Sequence, residues 1–543
     1  MDEQKKHLWW QKEIIYQVYP RSFKDSNGDG TGDLQGIIEK LDYLKDLGVK
    51  GVWVSPFYPS PMADNGYDVS DYTGVHPMFG TMEDFDRLVE EIHQRDLKLI
   101  LDFVPNHSSD EHPWFLESRQ SKDNPKRDWY IWKDPKPDGS EPNNWLSEFG
   151  GPAWTLDEKT GQYYLHTYLN KQPDLNWRNP EVQEAILDCM KFWLDKGVDG
   201  FRVDVMWQMI KDKQFRDNPP NPDFSEEMSP YDRLLPVYST DQPEVHEVVR
   251  MMRDLTDQYD ETVLIGEIYL PINELVSYYG KDNEGAHLPF NFQLIELPWD
   301  ARQIEAAVNE YEASLPAEGW PNWVLGNHDK SRIASRVGPE QAKIAAILLL
   351  TLRGTPTMYY GDELGMHNVD IPLEKVQDPR EKNVPGKGFG RDPERTPMQW
   401  DASENAGFTA GDPWLPVMNS YKEVNVAAEL EDESSMLNFY KKLIRLRAQE
   451  PALNVGDFFP VAAKGNVLSF RRSGVDKDFL IVLNLSGGKE KANPDIADWK
   501  GIIRFSTSPE MEGQQIEGEI DLEPNQGFVI ELINQSKTSK AAT

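Results

Sequence analysis

The hydrophobic positions of this chain form short continuous runs that alternate with stretches of helical spacing. Eight apolar runs of strand length predict a buried parallel sheet, at residues 14–19, 51–55, 97–104, 200–205, 263–268, 290–295, 323–325 and 356–360. Helical spacing separates several of them, at residues 34–47, 82–95, 244–259 and 341–353. Eight strands favour an α/β fold of the closed (β/α)8 TIM barrel type over an open doubly wound sheet. No Gly-x-Gly-x-x-Gly turn follows the first strand, which disfavours a dinucleotide-binding fold.

Two changes of pattern divide the chain further. About seventy residues rich in Trp, Asn, Pro and Lys follow the third strand, and a structureless loop of that length would be unusual, so a small inserted domain is expected there. After a helix at 435–449, short alternating runs predict a small antiparallel C-terminal β-sandwich domain. The expected divisions are barrel residues 1–105, an inserted domain at 106–174, barrel residues 175–455 and a C-terminal domain at 456–543.

Three of the predicted strands end in an acidic residue. Asp204 and Glu267 follow strands four and five directly, and Asp329 lies just after strand seven. In a parallel barrel the carboxyl ends of the strands share one face, where active sites lie. Buried carboxylates are costly unless they are paired or used, so three of them on one face predict an active site. Three such acids suit glycoside hydrolysis, as nucleophile, proton donor and sugar-binding group.

Polar neighbours of the three acids support this interpretation. Arg202 lies two residues before Asp204, so both side chains face the same way on a strand, and its guanidinium is expected to keep the Asp204 carboxylate ionised. His107 and His328 are candidates to donate hydrogen bonds to sugar hydroxyls. Each acid alone could equally cap a loop or form a buried ion pair, but the combination favours catalysis.

Six short motifs now identify a family. They are DFVPNH at 102–107, QPDLN at 172–176, GFRVD at 200–204, GE at 266–267, NHD at 327–329 and RTPMQW at 395–400. In content and order they resemble the α-amylase family of glycoside hydrolases, in its α-glucosidase and oligo-1,6-glucosidase branch. The resemblance covers nearly the whole chain. It implies that Asp204 is the nucleophile, Glu267 the general acid/base and Asp329 the stabiliser of the distorted sugar, in a retaining double displacement.

The resemblance also assigns substrate contacts around the glucose that is released. It implies that Tyr67 stacks on this glucose and that Asp68 binds its distal hydroxyls together with Arg395. Such a pocket is closed around a non-reducing end and therefore predicts exo-cleavage of short α-glucosides. Ordinary loop packing is the alternative for Tyr67. Phe149, in the inserted domain, is expected either to form an apolar wall or to pack in a core.

The linkage preference depends on the residue after the nucleophile, Val205. In the family branch, Val at this position accompanies activity on α-1,6 linkages, and the QPDLN motif points the same way. A difference of methyl size is worth only about 1–3 kcal/mol, so action on α-1,6 linkages, on α-1,4 linkages or on both stays open. Trehalose-6-phosphate hydrolase, trehalose synthase and sucrose isomerase stay open as alternatives with the same three acids. A non-catalytic transporter subunit is disfavoured because all three acids are present.

A loop after the first strand places oxygen-bearing side chains at alternate positions around glycines. This spacing resembles the first half of a Ca²⁺-binding loop, although the bidentate Glu of an EF-hand is missing, and a turn held by its own Asp and Asn side chains is the alternative. The resemblance implies a structural Ca²⁺ (or Mg²⁺) and no organic cofactor. The candidate ligands are Asp25, Asn27, Asp29, Thr31 and Asp33.

Composition limits the possible partners. The formal net charge is −35, which would repel nucleic acid and anionic lipid, and no apolar run is long enough to span a bilayer. The N-terminal residues show no apolar core of a signal peptide, so a cytoplasmic location is expected. The single cysteine, Cys189, excludes an intrachain disulfide and is expected to pack in a helix. The predicted partner is a small oligosaccharide or disaccharide, bound by a monomer or weak homodimer.

Overall fold

The computed structural model describes residues 7–494 and 496–533. Eight parallel strands, β1 to β8, form a nearly closed barrel: Ile15–Val18, Gly51–Val54, Lys98–Phe103, Gly200–Val203, Val263–Gly266, Leu288–Pro289, Asn322–Val324 and Thr355–Tyr359. Their order in the sheet is β7-β8-β1-β2-β3-β4-β5-β6, and every ladder is parallel. The barrel predicted from the sequence is therefore confirmed.

Side chains rather than a strand ladder join β6 to β7. The Asn322 side chain donates to the carbonyl of Pro289 and accepts from the backbone N–H of Asn291, at 2.5 and 2.8 Å. This single amide replaces the two backbone hydrogen bonds that a strand pair would make. It thereby completes the ring of strands.

The predicted sixth strand, residues 290–295, is wrong. Strand β6 is Leu288–Pro289, and a short helix, Gln293–Glu296, occupies most of the predicted range. The Asn291 side chain accepts from the N–H of Gln293, which turns the chain out of the strand. The apolar residues of this range are therefore buried in a turn and a helical segment, and not in a strand.

The connections contain α-helices of four to sixteen residues, together with short 3-10 helices in the loops. The longer ones, in the connections between strands, carry buried apolar residues toward the sheet. The helices are Trp9–Lys12, Pro20–Phe23, Leu34–Glu39, Leu41–Leu47, Met82–Gln94, Pro113–Ser118, Pro180–Asp195, Val245–Thr256, Ile272–Leu275, Gln293–Glu296, Ala301–Ser314, Ile333–Val337, Pro339–Thr351, Pro379–Asn383, Val426–Glu431, Met436–Gln449 and Pro451–Asn454.

Two smaller antiparallel units accompany the barrel. A three-stranded sheet, Trp132–Lys133, Trp154–Asp157 and Gln162–Leu165, lies within the predicted inserted domain. A six-stranded and a two-stranded sheet follow the barrel and enclose an apolar core of their own. Their strands are Asp457–Lys464, Val467–Ser473, Asp478–Asn484, Glu490–Ala492, Lys500–Ser506, Gln515–Glu517, Ile520–Leu522 and Gly527–Leu532. The domain boundaries themselves stay predictions, and residues 1–6 and 534–543 lie outside the described part of the chain.

Within the described ranges, none of the helices has both the length and the apolar character required to cross a bilayer.

Candidate active site

The three acids predicted to be catalytic line a single cavity at the carboxyl ends of the barrel strands. Asp204 directly follows β4, Glu267 directly follows β5, and Asp329 lies in the loop after β7. The cavity has a volume of about 440 Å3. This is within the range of pockets that enclose a small organic ligand. Its other lining residues are Asp64, Tyr67, His107, Glu148, Phe149, Tyr168, Val205, Trp207, Gln208, Tyr231, Asp232, Pro236, Tyr269, Glu296, His328, Lys330, Arg380 and Arg391.

One guanidinium holds the carboxylates of β3, β4 and β5 together. Arg202 is fully buried and forms ion pairs with Asp102 at 2.7 Å, with Asp204 at 2.7 Å and with Glu267 at 2.9 Å. A buried cation of this kind is tolerated only when anions surround it. Strand alternation explains the geometry, because Arg202 and Asp204 share one face of β4 and Asp102 lies beside Arg202 on β3.

The pKa of Asp204 is set by neighbours that act in opposite directions. Burial raises the pKa of Asp204 well above its usual value, the neighbouring Glu267 carboxylate raises it further, and Arg202 opposes both effects. Arg202 is the group that favours the ionised carboxylate, as expected of a cation 2.7 Å away, and the expectation that Asp204 is ionised stays a prediction. Burial also raises the pKa of Asp102 to about 6. The cluster thus retains a proton more readily than separate carboxylates would, and interacting acids of this kind titrate as a unit.

The pKa of Asp329 is shifted in the opposite direction. Burial disfavours its charge, but the guanidinium groups of Arg391 and Arg395 lower its pKa below the ordinary range of a carboxylate. Arg395 donates to the Asp329 carboxylate at 2.8 Å and Arg391 at 3.1 Å. Asp329 is therefore a fixed anion on the cavity wall.

Tyr67 and His328 stack on each other at the floor of the cavity. Their ring centroids are 5.3 Å apart and their planes differ by 7°. The Tyr67 hydroxyl donates to Asp102 and lies 2.6 Å from Nε2 of His328, while the Gln17 amide lies 2.7 Å from Nδ1. Burial lowers the pKa of His328 well below its usual value, so the ring is neutral. A neutral ring held at both nitrogens has a fixed orientation beside the acids.

His107 also lines the cavity. Its Nε2 lies 3.1 Å from the carbonyl of Tyr67 and 3.2 Å from the side-chain amide of Gln172. Burial lowers the pKa of His107 to about 4. The Gln172 amide reaches Asp64 at 3.2 Å as well, so the inserted segment orients two groups of the cavity through one side chain.

The carboxylate at the closed end of the cavity is Asp64, not the predicted Asp68. Asp68 is fully buried outside the cavity lining, where it accepts from the hydroxyl of Ser60 and from the backbone N–H groups of Ala63 and Asp64. Asp68 therefore shapes the loop, while Asp64 lines the cavity.

The predicted arginine, like the predicted aspartate, lies four residues after the one that lines the cavity. Arg395 does not line the cavity, and it donates to the carbonyl of His328 and to Asp329 from behind. Arg391 lines the cavity and donates to Asp64 at 2.7 Å and to Asp378 at 2.7 Å. The loop sequences offer two Asp and two Arg, each pair four residues apart, and only the packing distinguishes the pocket member of each pair.

Val205 and Phe149 both line the cavity, as expected. Val205 has φ 39° and ψ 48°, a left-handed conformation that is rare and strained for a β-branched residue. This conformation directs its N–H to Oε2 of Glu267 at 2.8 Å. Phe149 carries the guanidinium of Arg391 over its ring at 4.9 Å. No sequence pattern pointed to the backbone role of Val205.

The candidate cation loop is held by its own turns. Asp25 accepts from the N–H groups of Asn27, Gly28 and Gly30, and Asp33 accepts from Ser26 and Gly36. Asn27 and Asp29 are exposed, and their side chains accept from the N–H groups two residues on, in one case that of Thr31. Within residues 7–494 and 496–533, no three His, Cys, Asp or Glu side chains form a group able to hold a metal ion. The Ca²⁺ (or Mg²⁺) site stays a prediction.

An acid cluster of this kind, in a closed cavity at the carboxyl ends of a (β/α)8 barrel, defines a glycoside hydrolase. The model of the alpha amylase catalytic domain matches residues 17–456, and the chain belongs to that family.

Three related proteins illustrate the relationship. An oligo-1,6-glucosidase of Parageobacillus thermoglucosidasius is 45% identical over 488 residues, covering 83% of this chain and 85% of its own length. The crystal structure of the alpha-glucosyl transfer enzyme XgtA superposes with a TM-score of 0.92 at 40% identity, over 97% of this chain and 100% of that one. The trehalulose synthase MutB of Pseudomonas mesoacidophila MX-45 superposes with a TM-score of 0.89 at 38% identity, with the same coverage of both chains.

Proposed function

We propose that this protein is a retaining exo-α-glucosidase that releases glucose from the non-reducing end of short α-1,6- and α-1,4-linked glucosides. The observation that carries the proposal is the ion-pair cluster of Arg202 with Asp204 and Glu267, at 2.7 and 2.9 Å, inside a cavity closed by Asp64 and Arg391. The likeness to oligo-1,6-glucosidases over most of the chain supports the same activity.

The mechanism is a double displacement. Protonated Glu267 donates its proton to the glycosidic oxygen while the Asp204 carboxylate attacks the anomeric carbon, so the bond to the leaving sugar breaks as a glucosyl ester forms. Glu267 then takes a proton from water, whose oxygen attacks the same carbon and releases Asp204. Two inversions leave the α configuration unchanged.

Asp329 and the closed end of the cavity act on the glucose unit. The anionic Asp329 stabilises the positive charge that develops on the sugar ring in an oxocarbenium-like transition state. Asp64, paired with Arg391, presents a carboxylate to the hydroxyls farthest from the scissile bond. An end wall of this kind admits one terminal glucose and therefore supports exo-cleavage.

The leaving-sugar side supports both hydrolysis and the alternatives. Trp207, Tyr231 and Tyr269 line it with aromatic surface, which suits the apolar faces of a second sugar. Trehalose-6-phosphate hydrolase, trehalose synthase and sucrose isomerase would use the same three acids. Similar proteins include both a trehalose-6-phosphate hydrolase and a trehalulose synthase, so hydrolysis of trehalose 6-phosphate and isomerisation of sucrose both stay alternatives.

A panel of disaccharides tests the proposal. We expect free glucose from isomaltose and maltose, with the α-anomer formed first when the reaction is followed by NMR. Glu267→Gln should remove this activity. Intact isomaltose and maltose together with rearrangement of sucrose would contradict the proposal in favour of an isomerase, and glucose released first as the β-anomer would exclude the retaining mechanism.

The proposal also covers the location, the oligomeric state and a structural cation, none of which takes part in the reaction. We propose a cytoplasmic location, a monomeric or weakly dimeric state, and a structural Ca²⁺ or Mg²⁺ at residues 25–33. Size-exclusion chromatography with light scattering measures the oligomeric state, and metal analysis of the purified protein measures the cation content.

A further inference from the structure

The loops after β4 and β8 meet above the cavity. Lys387, in the loop after β8, donates from Nζ to the backbone carbonyl of Glu226, in the loop after β4, at 2.5 Å. In the sheet order, β4 and β8 are separated by four strand positions out of eight, so they lie on opposite sides of the barrel. A hydrogen bond between their loops therefore links two opposite sides of the barrel at the end where the cavity lies.

Both loops also contribute to the cavity wall. The loop after β4 supplies Tyr231 and Asp232, and the loop after β8 supplies Arg380 and Arg391. On the β4 side, the segment that carries Glu226 is closed at its base, because Asn221 donates to the carbonyls of Arg233 and Asp232 at 2.9 and 2.8 Å. Glu226, which accepts the hydrogen bond from Lys387, thus lies in a segment that reaches the cavity.

The loop after β8 has a fixed base. Arg391 binds Asp378 through its side chain and its backbone N–H, and Asp378 donates its own N–H to Asp392 at 2.9 Å. The same Arg391 is held by Asp64 and Asp329 in the cavity wall. The base of this loop therefore belongs to the rigid end of the pocket that receives the terminal glucose.

The tip of this loop, residues 384–390, is held by few contacts. Lys387 lies between Gly386 and Gly388, with φ of 73° and 72°, and a Cβ placed on either glycine would meet no atom within 4 Å. The Glu381 carboxylate accepts from the N–H groups of Gly386 and Gly390 at 2.9 and 3.2 Å. Only glycine adopts this backbone without strain, so the tip is a turn that can be opened without disturbing a packed core.

Helix Pro379–Asn383 connects the tip to the cavity. Glu381 on this helix holds the tip, and its neighbour Arg380 lines the cavity with its guanidinium 5.4 Å from the Phe389 ring. A displacement of the tip would therefore change the space available to the leaving sugar, while the pocket of the terminal glucose, fixed by Arg391, would stay in place.

We infer that the Lys387–Glu226 contact is a strap across the cavity mouth that limits the length of the leaving group, so that this protein prefers disaccharides over longer α-glucosides. The inference rests on the proposed function, because it concerns the part of the substrate beyond the released glucose. A substrate enters with its non-reducing end first, since Asp64 and Arg391 close the far end. Every additional sugar unit must pass the strap.

The test compares the kcat/KM of glucose release from isomaltose with that from isomaltotetraose, and maltose with maltotetraose. Lys387→Met keeps the length of the side chain and removes the donor. We expect the ratio of tetrasaccharide to disaccharide kcat/KM to rise by about two- to tenfold, the range that one such hydrogen bond can supply. Lys387→Arg, which retains a donor, should keep the ratio near that of the unaltered protein.

Two further variants separate the strap from general effects. Lys375→Met removes an exposed lysine of the same loop and should leave the ratio unchanged. Gly386→Ala combined with Gly388→Ala adds no clash but disfavours the positive φ angles, and should raise the ratio in the same direction as Lys387→Met. The second design does not depend on the lysine side chain.

The outcomes distinguish the inference from the proposed function. Glucose release with an unchanged ratio in Lys387→Met and in the glycine variant overturns the strap and leaves the proposed function standing. An equal rise in Lys375→Met also overturns the strap, because the effect would then come from lost surface charge. No glucose release by the unaltered protein from any of the four substrates overturns both.

Discussion

Arg202 determines the charge pattern of the active site through three short ion pairs. It contacts Asp102, Asp204 and Glu267, all of them buried. Removing any one of these acids would reduce the negative charge that raises the pKa of the others, so single substitutions are expected to change the titration of the whole cluster. The contribution of each acid is therefore best measured at the level of turnover.

Glu267→Gln should lower kcat/KM for isomaltose by about 10²–10⁴, because it removes the proton that the leaving oxygen needs. The amide keeps the shape of the side chain and can still accept from the N–H of Val205. Steady-state kinetics with thermal unfolding provide the measurement. Glu247→Gln, on the outer helix Val245–Thr256, is the matched control and should change neither quantity. Undiminished turnover by Glu267→Gln would refute the assigned role.

A pair of substitutions tests the corrected assignment at the closed end of the pocket. Asp64→Asn should lower kcat/KM by about 10- to 150-fold, because it weakens a hydrogen bond between charged groups worth about 1.5–3 kcal/mol. Asp68→Asn should instead lower the free energy of unfolding by about 1–3 kcal/mol, because Asp68 accepts from two backbone N–H groups of the loop. A larger kinetic loss in Asp68→Asn than in Asp64→Asn would restore the assignment made from the sequence.

At the scale of elements, strands and helices with a long, regular pattern were predictable, and short ones next to turns were not. Strands β2, β3 and β4 lie within the predicted ranges, because continuous apolar runs between polar helices have one favourable arrangement, inside a parallel sheet. The prediction of strand β6 was wrong because this strand has only two residues. The hydrogen bond from the Gln293 N–H to the Asn291 side chain turns the chain away after it. A two-residue strand carries no periodicity that could be detected.

The loop at residues 25–33 provides a prediction at the same scale. If it binds Ca²⁺ or Mg²⁺, metal analysis should find about one ion per chain, and a chelator should lower the unfolding temperature by several degrees. Asp29→Ala should reproduce that shift without chelator, because the exposed Asp29 carboxylate could serve the ion directly. A protein that contains no metal and unfolds at the same temperature with and without chelator would show that the turns alone hold the loop.

At the scale of the whole molecule, buried acids and the net charge of −35 act on stability in the same direction. Burial raises the pKa of several carboxyls far from the cavity floor. These values are about 8 for Glu394, about 7 for Asp362 and Glu429, and about 6 for Asp68. Their usual values in an unfolded chain are about 4, so the folded state binds more protons between these limits. These carboxyls therefore lower the free energy of unfolding as pH rises from about 4 through 8. The buried histidines act in the opposite direction below about pH 6.5, because burial lowers the pKa of His107 and His112 to about 4 and that of His287 to about 3, so the fall is expected above about pH 7.

Thermal unfolding between pH 5 and 9 measures this dependence. We expect the unfolding temperature to fall as pH rises above about 7, both at low salt and at about 1 M salt, where repulsion between surface charges is screened. Glu394→Gln should flatten the upper part of the curve, because Glu394 is the group that titrates there. If high salt abolishes the slope entirely, surface repulsion and not the buried acids causes it.

The sequence by itself determined the barrel, the three acids and their order, because apolar periodicity and strand-end motifs depend only on neighbouring residues. It also brought Arg202 beside Asp204, since residues two apart share one face of a strand. Tertiary structure alone decided which of Asp64 and Asp68, and which of Arg391 and Arg395, reaches the cavity. It alone brought Lys387 to Glu226 and raised the pKa of Asp204, since burial and the approach of distant loops depend on how the whole chain packs.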